Sequence, residues 1–464
     1  MRARQSTPFR PSGPRGAVAA FCLALLAVGL MAARPAFAVE VERVVSDKGI
    51  TAWLVRDDTV PVTAIEFTFA EAGAVMDPDG MAGTANMTSA LIDEGAGDMD
   101  SQAFQGKLND LSIKLRYSAG RTDFSGSFYT LNRYRDEAVE MLRLSLTEPR
   151  FDEEPVARIR RQIQAGLRQQ RTDPGALAAE ALMKTVFQGH PYADPTEGTV
   201  DSVERVTVEA MRTFQREGLT RDRLNIGVVG DITPEALKPI LDKAFGGLPE
   251  SGRHPDVPQA AVDGPAGTVV IDQDVPQSTV QFAQKGLALD DPDYYAGMVL
   301  NHILGGGSFE SRLMQEIRVK RGLAYSVYSF LQPMEKAAML RGGLATRNDA
   351  VGQSIDLVRE VFADIRDNGV SEAQLADAKT YLTGSYPLRF TNSSSIADQL
   401  VAMQRYDFGI DYIDRRNSLI EKVTLADVNR LAGELLDPEA LTIVAVGKPE
   451  GVEANLPVPD GVGG

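Results

Sequence analysis

The chain has 464 residues, 43% of them apolar and 24% charged, which is enough to bury a sizeable core across two or three domains. Its formal charge of −16 argues against a protein that tracks nucleic-acid phosphates, and a single cysteine, Cys22, excludes a disulfide framework or a cysteine metal cluster. Three histidines, His190, His254 and His302, leave little material for a histidine-rich centre.

Arg2, Arg4, Arg10 and Arg15 precede an apolar run from Ala17 to Ala33, and Ala36-Phe37-Ala38 supplies small residues for cleavage. That order reads as a secretory signal peptide over residues 1–38. The run falls short of the roughly 20 apolar residues a spanning helix needs, so no stable membrane anchor is expected. Cleavage after about Ala38 would remove Cys22 and five arginines but no acid, taking the charge from −16 to −21. The expectation is an exported, periplasmic, acidic protein.

Beyond the signal, strands are expected at Thr51–Arg56, after an Asp47-Lys48-Gly49 turn, and at Val62–Phe69, which alternates with period two. Apolar residues at three- and four-residue steps predict helices at Pro155–Gln170 and Val351–Arg366. The chain also repeats itself. Val206-Thr207 and the following amphipathic stretch match Val423-Thr424 and its stretch, and Leu224–Gly230 matches Leu441–Gly447, both at an offset of 217. Phe67-Thr68-Phe69 matches Val280-Gln281-Phe282 at an offset of 213. Such a long period indicates duplicated domains, not a solenoid. The Pro/Gly/polar stretch from Pro249 to Gly267 reads as the linker between them. The expected organisation is a first domain over 39–248, the linker over 249–267, a second domain over 268–455 and a tail over 456–464. Strands grouped with helices, without regular alternation, favour an α+β class with two homologous α/β sandwich domains.

Leu304-Gly305-Gly306-Gly307-Ser308-Phe309 leads into Ile317-Arg318-Val319-Lys320-Arg321-Gly322-Leu323-Ala324-Tyr325. No Gly-Lys-Ser/Thr follows the glycines, so a nucleotide loop is disfavoured. A flexible glycine linker, a short helix from Phe309, a turn at Gly322 and a strand are expected instead. The turn could bring the Arg318 fork and the Tyr325 hydroxyl to one surface; a capping arginine and a half-buried tyrosine are the plainer alternative. Asp93-Glu94 and Glu153-Glu154 read as solvated helix-end charges, because neighbours one residue apart on a helix diverge. No Gly-x-Ser-x-Gly elbow is present.

The stretch from Asn301 to Ser326, together with His190-Pro191-Tyr192 and the following Pro195 and Gly198, resembles the pitrilysin/insulinase family of zinc peptidases, which includes the processing peptidases. The resemblance implies antiparallel-rich sheets packed with helices and a clamshell that encloses a peptide. It also implies that Arg318 and Tyr325 bind the substrate backbone. Catalytic members carry His-x-x-Glu-His on a helix, two imidazoles on one face with a carboxylate as general base. Here the matching helix, Gly80 to Leu91, has Gly83 and Met87 in place of the histidines and Asn86 in place of the base. The further glutamate that completes the zinc site falls near Gly166. His190 and His302 have no metal-type partner at helical spacing, and His302 reads as a core or hinge histidine.

The resemblance therefore implies a chain that is not an enzyme by itself. It holds no cofactor and serves as the non-catalytic subunit of a heteromeric zinc metallopeptidase whose homologous His-x-x-Glu-His partner carries the zinc. On this chain no residue is catalytic alone; Arg318 and Tyr325 would position a peptide substrate, with Tyr325 stabilising the transition state in trans. The alternatives are a non-proteolytic envelope scaffold or a peptide-binding module of the same fold.

Overall fold

The structure, a computed structural model, describes residues 40–253, 255–262 and 264–462. The expected signal peptide and His254 lie outside them.

The first domain contributes β1 (Val41–Val45), β2 (Thr51–Arg56), β3 (Val62–Phe69), β4 (Lys114–Ala119), β5 (Phe124–Leu131) and β6 (Leu224–Gly230). Its helices are α1 (Thr84–Leu91), α2 (Ser101–Asp110), α3 (Arg135–Thr147), α4 (Glu153–Gln170), α5 (Pro174–Val186), α6 (Val200–Arg205), α7 (Val208–Gly218) and α8 (Pro234–Phe245). The second supplies β7 (Gly267–Asp272), β8 (Gln277–Lys285), β9 (Ala324–Met334), β10 (Ala337–Arg347) and β11 (Thr442–Gly447). With them come α9 (Tyr294–Asn301), α10 (Val351–Asn368), α11 (Glu372–Gly384), α12 (Ser393–Arg405), α13 (Tyr412–Glu421) and α14 (Leu425–Leu435). Both strands and both helices expected from periodicity are present, α4 and α10 each running two residues longer at one end than their apolar pattern. The described residues between Leu248 and Gly267 cross from α8 to β7 without helix or strand. Among the described residues no helix is long and apolar enough to cross a membrane.

The first sheet has the order β1-β2-β6-β3-β5-β4 and the second β7-β11-β8-β10-β9. Apart from β1 the two orders are the same. In each, one parallel pair (β2 with β6, β7 with β11) is followed by antiparallel neighbours. These are two mixed α/β domains, each a sheet packed by helices, in the clamshell architecture of insulinase-type proteins.

The strand register corrects one offset. Phe67 pairs with Ile226, and Phe282 pairs with Ile443. Ile226 and Ile443 lie 217 apart, so Phe67 corresponds to Phe282, not to Val280, and the offset there is 215 instead of 213. A slip of two keeps every side chain on its own face, so alternation alone could not detect it. Packing confirms the new register. Phe67 sits opposite Gly126 and Phe282 opposite Gly342. A Cβ on either glycine would lie 2.1 or 2.2 Å from the facing ring. Each domain thus seats one phenylalanine over a glycine in the neighbouring strand.

The faces of the two sheets turned away from these cores are covered by an exchange. Helix α5 of the first domain lies on β8 and β11, where Leu177, Ala178, Ala181 and Leu182 bury against Ala283, Val444 and Val446. Helix α12 of the second lies on β3 and β6, where Gln404 Nε2 donates to Ile226 O at 2.8 Å. Gly227 is required there, since a Cβ would stand 2.1 Å from Ala397 O. At the end of α12, Arg405 donates to Asp123 Oδ1 at 2.9 Å and to Glu335 Oε2 at 2.5 Å, tying the two domains together.

Under α12 lies Glu66, which accepts from Ser127 Oγ at 2.8 Å. Burial pushes its carboxyl up to about 7, opposed by hydrogen bonds from Ser127 and Ser394 and reinforced by Asp398. A folded value above the unfolded one gives stability that is full below about 4.5 and lost as pH rises through about 7. Glu66→Gln should therefore melt higher than the parent chain at pH 8 and about equally at pH 5. A variant that tracks the parent at both pH values by calorimetry would contradict this.

Candidate functional site

Helix α1 carries Gly83 at its start and Asn86 and Met87 within it, and its N-terminus is built by backbone contact. Asp77 accepts from Gly83 N at 2.6 Å and from Ala85 N at 2.8 Å, so this carboxylate from an earlier loop caps the helix. Burial pushes Asp77 up to about 7 despite those bonds. Gly83 has φ +94°, and a Cβ on it would lie 2.6 Å from Glu197 O. Across the same contact, a Cβ on Gly198 would lie 2.2 Å from Ala82 O. Gly83 therefore lacks a side chain and has no room for one.

Met87 is fully buried among Leu91, Phe151, Val156, Ile159 and Val203. Asn86, between them in sequence, is half-buried on the helix. Gly166 is exposed on α4 and has open space in its Cβ direction, so it stands apart from the apolar cluster around Met87. The buried polar side chain of α4 is Gln164, which donates to Val200 O at 3.1 Å and to Glu204 Oε2 at 3.0 Å. Gln164 and Gly166 stand two residues apart on α4, which turns their side-chain directions apart by more than half the helix circumference. Glycine, methionine and asparagine do not fit zinc here: a thioether is a soft ligand, an amide is no base, and glycine offers nothing. Among the described residues no three His, Cys, Asp or Glu side chains converge to hold a metal. The sequence contains no His-x-x-Glu-His, and the described residues form no zinc site of that type.

The two described histidines are committed elsewhere. His190 Nδ1 accepts from Tyr192 N at 3.0 Å, and Nε2 faces Pro258 O at 3.0 Å. His302 stacks on Tyr381 with centroids 4.8 Å apart, and burial lowers its pKa. Of the paired acids, Glu94 binds Arg158 at 2.7 Å, while burial lifts its neighbour Asp93 to about 6.

The second-domain segment differs from expectation in one respect. The glycine run is not a flexible linker: it continues α9 as a wider π-type turn over His302–Gly306. A Cβ on Gly305 would come within 2.4 Å of Ser329 Oγ, and one on Gly307 within 2.6 Å of His302 O. Gly305 allows the helix to press against β9, and Gly307 lets the turn close on His302. A second π-type turn, Met314–Val319, carries Arg318, and the chain reverses at Gly322 with φ +64°. The reversal is pinned by Gly322 N donating to Arg318 O at 2.8 Å and Thr346 Oγ1 donating to Leu323 O at 2.6 Å.

As a result the Arg318 guanidinium lies 4.6 Å from the Tyr325 ring centroid and 4.6 Å from that of Phe309. The two rings stabilise the cation by their faces and leave the edge of the fork open. Glu316, the nearest acid in sequence, is engaged by Lys320 at 2.5 Å and Arg321 at 2.7 Å. Tyr325 is 82% exposed, which removes the half-buried alternative. It stands at the start of β9, the edge strand of its sheet. The sequence missed Phe309 as a partner; an aromatic directly after the glycine run was the available signal.

Two family patterns match this chain. One, described as "Insulinase (Peptidase family M16)", covers residues 55–200, and the other, "Peptidase M16 inactive domain", covers residues 205–382. The chain belongs to the M16, pitrilysin/insulinase, peptidase family. Among M16 relatives, a non-peptidase homologue from Helicobacter pylori is 26% identical over 374 residues, 80% of this chain and 85% of that protein. An uncharacterized zinc protease from Mycobacterium bovis is 28% identical over 289 residues, covering 61% of this chain and 65% of that one. The crystal structure of an M16 inactive domain from Pseudomonas fluorescens superposes with a TM-score of 0.83 at 29% identity, over 90% of this chain and 100% of that one.

The M16 chain should bind no stoichiometric zinc and cleave no peptide unaided. Metal analysis after chelator washing and zinc loading, with a peptide cleavage assay alongside, checks this. One tightly held zinc per chain with chelator-sensitive cleavage would refute it.

Proposed function

We propose that this protein is the exported, periplasmic, non-catalytic subunit of a heteromeric zinc metallopeptidase. It completes the peptide-binding chamber beside a homologous chain that carries His-x-x-Glu-His and the zinc. The observation that carries this reading is the exposed Phe309–Arg318–Tyr325 stack on a chain whose α1 has no metal ligands. An arginine clamped between two rings, with no acid paired to it among the described residues, is arranged to receive a substrate carbonyl or carboxylate. An exposed phenol beside it supplies one further donor. Arg318 positions the peptide backbone, and Tyr325 donates to the oxygen on which charge develops while the partner's zinc polarises the same carbonyl. For this function we take the domains as 39–248 and 268–455, joined by 249–267.

Mixing the mature chain with a His-x-x-Glu-His homologue from the same source should give a heteromer by light scattering and a proteolytic activity that neither chain has alone. A partner fully active by itself, with no association, would instead favour a scaffold or a peptide-binding module.

A further inference from the structure

Strand β9 carries an aromatic track whose outer end is set by a bulge. Val327 and Ser329 are buried against the core, so strict alternation would turn Tyr325 to the same side. Instead Tyr325 is exposed. Leu344 pairs with Val327 and Thr346 with Ala324, so Tyr325 and Ser326 together oppose the single residue Ala345. A bulge of this kind adds one residue to a strand and re-aims a side chain. Tyr325 thereby joins Tyr328 and Phe330 on the face turned away from the second-domain core.

Tyr328 and Phe330 stack, with centroids 6.2 Å apart and 19° between their planes. Tyr328 pairs with Gly343, whose Cβ would stand 3.1 Å from the phenol oxygen, so the missing side chain lets the ring lie over β10. Phe330 pairs with Arg341, which lines a cavity of about 330 Å³ shared with residues 193–200 of the first domain. Exposure falls along the track, from 82% at Tyr325 to 45% at Tyr328 and 37% at Phe330. The track thus descends from open surface toward the space between the domains. Helix α5 buries the same face over β8 and β11, while the rings on β9 stay in water. Aligned, uncovered rings are apolar surface that a ligand would remove from water. An extended chain fits a track one strand wide that leads inward between two domains; a folded surface does not.

We propose that Tyr328 and Phe330 form a side-chain subsite for the peptide held at Arg318 and Tyr325, receiving a large apolar or aromatic residue about three to five positions from the scissile bond. The proposal rests on the reading that Arg318 and Tyr325 hold a peptide backbone. A strand and an extended peptide rise alike, by about 3.3 Å per residue, so the two rings lie roughly 10 and 17 Å along the peptide from Tyr325. Contact between rings adds attraction beyond area burial, which favours phenylalanine or tyrosine over aliphatic side chains.

Fluorescence anisotropy of the mature chain tests it, using a fluorescein-labelled Gly/Ser dodecapeptide with one central Phe and the same peptide with Ser in that place. The Phe peptide should bind roughly tenfold more tightly. The double variant Tyr328→Thr/Phe330→Thr should erase the difference. Threonine keeps the strand preference at these two exposed positions, and an unchanged melting temperature certifies the fold. In an active heteromer, cleavage of the Phe peptide should fall about three to five residues from the Phe with the parent chain and lose that focus with the double variant. Equal binding of the two peptides would overturn the proposal, as would a preference indifferent to the double variant or cleavage focused at another distance. A parent dimer that the double variant dissolves, without any peptide preference, would assign the face to a second copy and overturn it too. Preference for Phe, lost in the double variant, but no cleavage by any heteromer would uphold the subsite and refute the peptidase-subunit reading.

Discussion

Tyr325→Phe is expected to leave the heteromer assembled and to lower its kcat about 100-fold. The ring that stacks on Arg318 at 4.6 Å is retained, so the guanidinium keeps its position and only the hydroxyl is lost. In metal-assisted peptide hydrolysis, water attacks the scissile carbonyl and negative charge builds on its oxygen. Losing one preorganised donor to that oxygen typically costs about 2.7–4 kcal/mol, roughly 100- to 1,000-fold in turnover. Arg318→Ala should raise KM as well, because a positioning contact is lost in ground and transition states alike. It also leaves Phe309 and Tyr325 without the cation between them, so its effect should exceed that of the phenol alone. Steady-state kinetics on a heteromer confirmed as active by size and turnover decides the matter. Parental kcat and KM from both variants would reduce the triad to ordinary surface.

Arg405→Ala should cost the chain about 3–5 kcal/mol of stability, as expected for a mostly buried ion pair broken from one side. Asp123 and Glu335 are 24% and 18% exposed, and each would keep its charge with no cation beside it. The loss falls on the join between domains: Asp123 belongs to the first, Glu335 to the β9–β10 turn of the second, and Arg405 to the exchanged helix. Burial already raises the Asp123 carboxyl even with Arg405 present. Without the arginine, the Asp123 value moves further above the unfolded one. The deficit should therefore be largest near neutral pH and shrink as pH falls toward 5. Urea unfolding of parent and variant at pH 7.5 and pH 5 measures both magnitude and sign. A loss below about 1 kcal/mol at neutral pH would place the trio with surface ion pairs instead.

Much of this architecture was legible in the residues. Strand alternation placed β2 and β3, helical spacing placed α4 and α10, and the 217-residue repeat disclosed the duplication that the two sheet orders share. That Gly83, Asn86 and Met87 offer zinc no imidazole or carboxylate was legible in the residues, since ligand chemistry belongs to residue type. What sequence could not give was anything that depends on which surfaces meet. The 213-residue match at Phe67 was two residues out, because a pleated strand looks the same after every second residue. The glycines after Leu304 read as freedom but are close packing, since the same missing Cβ serves both and only a neighbour distinguishes them. The exchange of α5 and α12 and the join at Arg405 link residues far apart in the chain. Local propensity carries no record of such meetings. They follow from two sheets each having a second face to cover, and each domain covering the face of the other.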